Sequence, residues 1–190
     1  MKKFIFGIIT GIVVLGLAGI GAALLGFIPT DANQTPGRLE TWLADNAMDA
    51  YMERRAPRTN SPLPPTDANL IDGMRTYAMN CAVCHGGLDK KPAPLAANLY
   101  PPAPQLLLDA PDDPEWHIYY AIQHGIRNTG MPAWKGVISD DDAWKITAFL
   151  SHQDKLPQGV QDFWQKAIGA PLPAPAEHEE HEKKEGRHHH

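Results

Sequence analysis

The sequence predicts an all-α protein. Three observations carry that prediction: an uninterrupted apolar stretch near the N-terminus, apolar residues recurring at helical spacing in later segments, and a Cys-x-x-Cys-His pentapeptide that continues a helical run instead of following a strand. At 190 residues the chain is too long for one small domain and too short for two full-sized ones with linkers, so it divides into a compact region and appendages.

From Phe4 to Ile28, 25 residues carry no charge, enough at about 1.5 Å per residue to cross a ~30 Å hydrocarbon core. Lys2 and Lys3 precede this stretch, an arrangement that keeps residues 1–3 in the cytoplasm and sends the rest of the chain across. A cleaved signal peptide also opens with lysines and an apolar run, but its core spans only about 7 to 15 residues before a small-x-small site. Ala22-Ala23 followed by Leu24, Leu25 and Phe27 matches that poorly, so residues 4–28 are read as an uncleaved transmembrane anchor. Gly7-x-x-x-Gly11 has the spacing at which a second membrane helix approaches closely, a weak signal in a segment type rich in glycine.

Residues 29–66 join the anchor to the compact region. Between Gly37 and Arg55, Leu39, Trp42, Leu43, Ala47, Ala50 and Tyr51 fall near one face, with Arg38, Glu40, Asp45, Asp49 and Glu53 mostly elsewhere, the pattern of a juxtamembrane amphipathic helix. That stripe suits the bilayer surface or a partner, and equally suits packing against the next domain. Ala56 to Thr66 holds Pro57, Pro62, Pro64 and Pro65, an extended and semi-rigid spacer.

The compact region is expected over residues 67–156, with helices over Asp67–Asn80 and Pro114–His124 and a last helix opened by Asp140-Asp141-Asp142, where negative charge suits the positive end of the helix dipole. Residues 157–176 form a short extension in which Phe163, Trp164, Ala167 and Ile168 are spaced to fold back on that region. Residues 177–190 are charged and rich in histidine, a composition expected to be disordered, and no metal site is assigned to them.

The chemistry is concentrated in Cys81-Ala82-Val83-Cys84-His85. At this spacing two thiols can each form a thioether to a haem vinyl group while the imidazole after them faces the iron from below. The rival readings are a thioredoxin-like redox pair, a lone disulfide or half a zinc site. A thioredoxin-like pair comes after a strand, whereas Leu70, Ile71, Met74, Tyr77 and Ala78 upstream have helical spacing. Cys81 and Cys84 are also the only cysteines, too few for a four-thiolate site. The reading is therefore one covalently bound haem c, with His85 as proximal ligand.

The opposite face of the iron has three candidate arrangements. Met131 lies in Thr129-Gly130-Met131-Pro132-Ala133-Trp134, where glycine permits an unusual backbone angle and proline stiffens the segment presenting the thioether. His117 and His124, seven apart on one predicted helix, offer an imidazole instead, and an open site is the third arrangement. Met131 is favoured on the Met/His ligation of cytochromes c, whereas Met74 and Met79 read as core filler.

With those residues in view, the stretch from about Asp67 to Lys155 resembles a class I cytochrome c domain. Gly73-x-x-x-Tyr77-x-x-x-Cys81 is similar to the first helix entering the attachment motif, Gly130-Met131-Pro132 to the axial methionine loop, and Ala143 to Leu150 to the closing helix. The resemblance implies a cytochrome c fold in which first and last helices cross, with Gly73 and Trp144 in the places of the small residue and the aromatic it admits. It also implies a proline carbonyl accepting from the proximal histidine. Pro92, Pro94, Pro101, Pro102 and Pro104 all come after His85, and the expectation falls on Pro92 or Pro94. Arg127, Tyr100 and Trp134 are the candidates for hydrogen bonds to the haem propionates.

The function expected on these grounds is one-electron transfer by a membrane-anchored monohaem c-type cytochrome of a bacterial respiratory or periplasmic chain, without catalysis of its own. The alternative is a cytochrome c subunit of a larger membrane oxidoreductase: a terminal oxidase, nitric oxide reductase or periplasmic dehydrogenase. Expected partners are a redox protein donor and acceptor, membrane lipid and other membrane subunits. A net charge of −5 and the absence of a basic patch argue against nucleic acid. The haem domain is placed on the extracytoplasmic side of the inner membrane.

Overall fold

A computed structural model of the chain describes residues 1–168. Seven α-helices run α1 Lys2–Leu24, α2 Arg38–Arg55, α3 Asp67–Asn80, α4 Ala82–His85, α5 Glu115–His124, α6 Asp140–His152 and α7 Gln158–Ala167, and no strand occurs among the described residues. The expected tail over 177–190 lies outside the described residues.

The fold is built on one crossing. α3 carries Leu70, Gly73, Met74, Tyr77 and Ala78 at i, i+3, i+4, i+7 and i+8, a single buried stripe. α6 answers with Ala143, Ile146, Thr147, Phe149 and Leu150, all buried. Each helix starts at a side-chain cap: Thr66 Oγ1 accepts from Asn69 N at 3.3 Å, and Ser139 Oγ accepts from Asp142 N at 3.1 Å. Behind the second cap, Asp140, Asp141 and Asp142 occupy the first turn, where the dipole favours them.

The two axes meet so closely at Gly73 that a Cβ there would fall on the Lys145 carbonyl, with Ile146 N at 3.1 Å. The crossing implied by the resemblance is therefore present, but its details differ. Gly73 admits the α6 backbone, while the Trp144 ring lies flat on Tyr119 of α5, centroids 3.9 Å apart. The aromatic pair that joins α3 to α6 is Tyr77 with Phe149, 5.8 Å between centroids.

Past residue 156 the core continues. Val160 is fully buried, the Trp164 ring meets Phe149 edge-on at 5.5 Å, and its Nε1 donates to the Leu88 carbonyl at 2.7 Å. α7 is thus a strap over the segment after His85, and Arg75 adds a cation over its Phe163 ring at 4.7 Å.

α1 is apolar and long enough to cross a membrane, with none of its residues buried. It ends at Leu24, short of Ile28, where the apolar stretch itself stops. Every residue of the stripe read from the sequence is exposed, Leu39, Trp42, Leu43 and Tyr51 each by more than half, whereas Met52, outside that stripe, and Ala56, which caps the helix, are buried.

Candidate functional site

Cys81 closes α3 and the next four residues form a single further turn, α4. His85 N and Cys84 N both donate to the Cys81 carbonyl, at 2.9 and 3.1 Å. That turn gathers two sulfurs and one imidazole on a few ångströms of backbone, and both cysteines are free thiols. Burial, with a smaller contribution from Cys84, pushes the Cys81 thiol up to about 12. The thioredoxin-like reading fails on fold, since the pair follows a helix and no strand occurs among the described residues. Among the described residues no group of three or more His, Cys, Asp or Glu is arranged to hold a metal ion.

The His85 ring is oriented from behind. Its Nδ1 lies 2.8 Å from the Pro104 carbonyl oxygen. A carbonyl can only accept, so Nδ1 carries the proton and Nε2 keeps its lone pair for a metal. Burial lowers the affinity of this ring for a second proton, opposed in part by the same carbonyl. The supporting proline is therefore Pro104, not Pro92 or Pro94. Proline content alone could not choose among five, because the segment after His85 runs outward and returns before it reaches the ring. Pro92 and Pro94 sit on the exposed outer part of that excursion, and the Pro94 carbonyl accepts from Asn98 Nδ2 instead.

Two residues that the motif did not flag pin the excursion down. The Gln105 side chain accepts from Ala93 N at 2.7 Å and donates to the carbonyls of Cys84 and Ala103 at 3.1 and 2.9 Å. It ties the haem motif to both arms of the loop. The Tyr77 hydroxyl shares its proton between the carbonyls of His85 and Gly86, at 2.8 and 2.9 Å, and burial raises its pKa. The signal for Gln105 was a lone amide beside the apolar Leu106-Leu107-Leu108. Tyr77 was visible as a helix residue, but its hydroxyl's destination was not.

Met131 is half-buried in a loop held by short-range bonds. Ile126 N donates to the Met131 carbonyl at 3.1 Å, Thr129 Oγ1 donates to the Ile126 carbonyl at 2.7 Å, and Met131 N donates to Thr129 Oγ1 at 3.0 Å. Gly125, at φ +65°, lets this loop turn back on α5, since a Cβ there would meet the backbone of Met131, Pro132 and Ala133 within 2.7 Å. The two histidine alternatives have other surroundings. His117 is buried with Nδ1 3.2 Å from Asp113 and Nε2 3.8 Å from Glu53, while His124 is exposed and packs on Tyr120.

Of the propionate candidates, Arg127 is exposed, Trp134 packs against the apolar core, and Tyr100 lies close to the Glu40 carboxylate of α2, which raises its pKa. They are not brought together by any contact among themselves. The donor chemistry at Cys81, Cys84 and His85 fits a haem: two free thiols for thioethers and one imidazole whose Nε2 is left for the metal.

Comparison with known proteins agrees with that chemistry. Residues 68–150 match the family described as cytochrome c oxidase, cbb3-type, subunit III. The chain is 31% identical over 86 residues to cytochrome c6 of Tetradesmus obliquus, a match covering 45% of this chain and 92% of that protein. Among solved structures it is similar to a chain of the reducing HAO-like protein complex of Kuenenia stuttgartiensis, at 21% identity and a TM-score of 0.41, over 50% of this chain and 48% of that one.

Proposed function

Because the chain belongs to the class I c-type cytochromes, electron-transfer proteins with one covalently bound haem c, we propose that it relays single electrons from a membrane anchor on the extracytoplasmic side. The observation that carries this reading is the turn holding Cys81, Cys84 and His85, with the His85 ring oriented by Pro104. When bound, the haem supplies a one-electron iron couple. Cys81 and Cys84 would fasten it, and His85 and Met131 would be its side-chain ligands. With both iron ligands supplied by side chains, no small substrate would reach the metal, and the chain would act as a carrier and not an enzyme. Tyr77, Gln105 and Pro104 hold the turn carrying His85 in one arrangement.

Lys2 and Lys3 ahead of α1 support the orientation that leaves residues 29 onward outside the cytoplasm. The ligand assignment is tested on haem-loaded protein by visible spectroscopy. Wild type is expected to be low-spin and six-coordinate, with the sulfur-to-iron charge-transfer band when oxidised. Met131→Ala is expected to lose that band and to bind carbon monoxide when reduced, and an unchanged spectrum refutes Met131 as ligand.

The match of residues 68–150 to a family of oxidoreductase subunits favours a second reading, in which the chain works inside a larger membrane complex. Purification in mild detergent separates the two. Stoichiometric partners co-migrating with the haem absorbance support the complex, and a single haem-containing chain supports the free carrier.

A further inference from the structure

α2 meets the domain chiefly toward its C-terminal end, where Met52 and the capping Ala56 are buried and Glu53 lies 3.8 Å from His117, with Glu40 close to Tyr100 and Tyr51 close to Tyr120. Leu39, Trp42 and Leu43 share one side, being spaced i, i+3 and i+4, and they are 69%, 59% and 53% exposed. Met52 lies about 2.5 helical turns beyond Leu43, so the two point in opposite directions.

What covers that outer face is indicated by its position in the chain. Thirteen residues, Leu25 to Gly37, separate α2 from the membrane-length helix α1, a tether of at most roughly 45 Å. Phe27 and Ile28, at its start, are exposed as well. A tryptophan flanked by two leucines suits the boundary between headgroups and acyl chains. α2 itself carries Arg38, Arg54 and Arg55 against Glu40, Asp45, Asp49 and Glu53, so its attraction to a bilayer is apolar and does not need anionic lipid.

From this geometry we infer that α2 lies on the bilayer surface, Leu39, Trp42 and Leu43 dipping into the lipid while the opposite side carries the haem domain. The inference rests on α1 being a retained anchor. α2 is then a plinth: it sets which edge of the domain faces the membrane and leaves the others to redox partners.

The test uses the full, haem-loaded chain in zwitterionic phosphatidylcholine nanodiscs, with the photoprobe p-benzoylphenylalanine replacing one residue at a time. Trp42→p-benzoylphenylalanine and Leu43→p-benzoylphenylalanine are expected to give lipid adducts on illumination. The same probe at Asp45, on the helix flank, is expected to give none, and the probe at Leu15 within α1 reports the anchor itself. Adducts at positions 15, 42 and 43 but not 45 support the proposal. Adducts at 15 without any at 42 and 43 overturn it and leave the anchor standing. Cross-links from position 42 to a second copy or to another protein overturn it in favour of that occupant. Absence of adducts at position 15 overturns the anchor, and the inference falls with it.

Discussion

Replacing Tyr77 by phenylalanine removes one oxygen from the wall behind the haem motif and leaves the ring in place against Phe149. The hydroxyl proton serves two carbonyls, those of His85 and Gly86. His85 O also accepts from Leu106 N at 3.1 Å, so it keeps a partner in the variant. Gly86 is buried, and no other described hydrogen bond reaches its carbonyl. One buried acceptor left unsatisfied costs about 1–3 kcal/mol, and at about 4–8 °C per kcal/mol for a domain of this size a 2 kcal/mol loss lowers Tm by roughly 8–16 °C. The effect has a pH signature. Burial raises the folded-state pKa of Tyr77 above its ordinary value of 10.0, so the stability it contributes is fully present below pH 10 and is lost as pH rises further, while the unfolded chain ionises. Above pH 10 wild type therefore loses about 1.4 kcal/mol per pH unit relative to Tyr77→Phe, until the folded-state group also titrates. Guanidinium titrations of the haem-loaded proteins at pH 7 and pH 11 measure both quantities. A variant within about 0.5 kcal/mol of wild type at pH 7, or a gap that does not narrow at pH 11, refutes the assignment of this hydroxyl.

Three further substitutions probe the same framework. Gly73→Ala drives a methyl group into the Lys145 carbonyl, and an expected loss of about 3 kcal/mol, at the upper end for overpacking, is read by chemical denaturation. Gln105→Leu keeps the volume but strands Ala93 N and the Cys84 carbonyl; a loss of about 2 kcal/mol is expected, with faster hydrogen exchange at the Ala93 amide. Trp164→Phe removes the bond to Leu88 O together with one ring of the buried indole and is expected to cost about 1–3 kcal/mol, whereas Trp164→Ala empties the site and is expected to cost about 3–5 kcal/mol by the same titration.

How far the chain could be read in advance depends on the range over which each signal acts. Helix positions are local, and spacing together with end-residue chemistry located α3 over Asp67–Asn80 and the start of α6 behind its three aspartates. The pentapeptide at Cys81 is local too, which is why the haem was legible without a fold. Choices set by the return of a loop were not. Pro104 faces His85 only because nineteen residues of irregular backbone come back on themselves, and no periodicity encodes that path. Trp144 was assigned to the crossing from the resemblance, yet a flat neighbour on α5, Tyr119, claims its ring. The odd result for α2, its stripe exposed and Met52 outside it buried, lay beyond a hydrophobic stripe because a stripe reports amphipathicity without naming neighbours.

The contact between Gly73 and the Lys145 backbone has a temporal consequence. Sequence distance makes this closure late, since the ends of a loop of roughly seventy residues must find each other before either helix gains its partner. Until then the pentapeptide is an open strip of polypeptide. Once α6 seats and Trp164 latches onto Leu88, it is shut from behind. The attachment turn thus lies ahead, along the chain, of both helices that close behind it, α6 and α7.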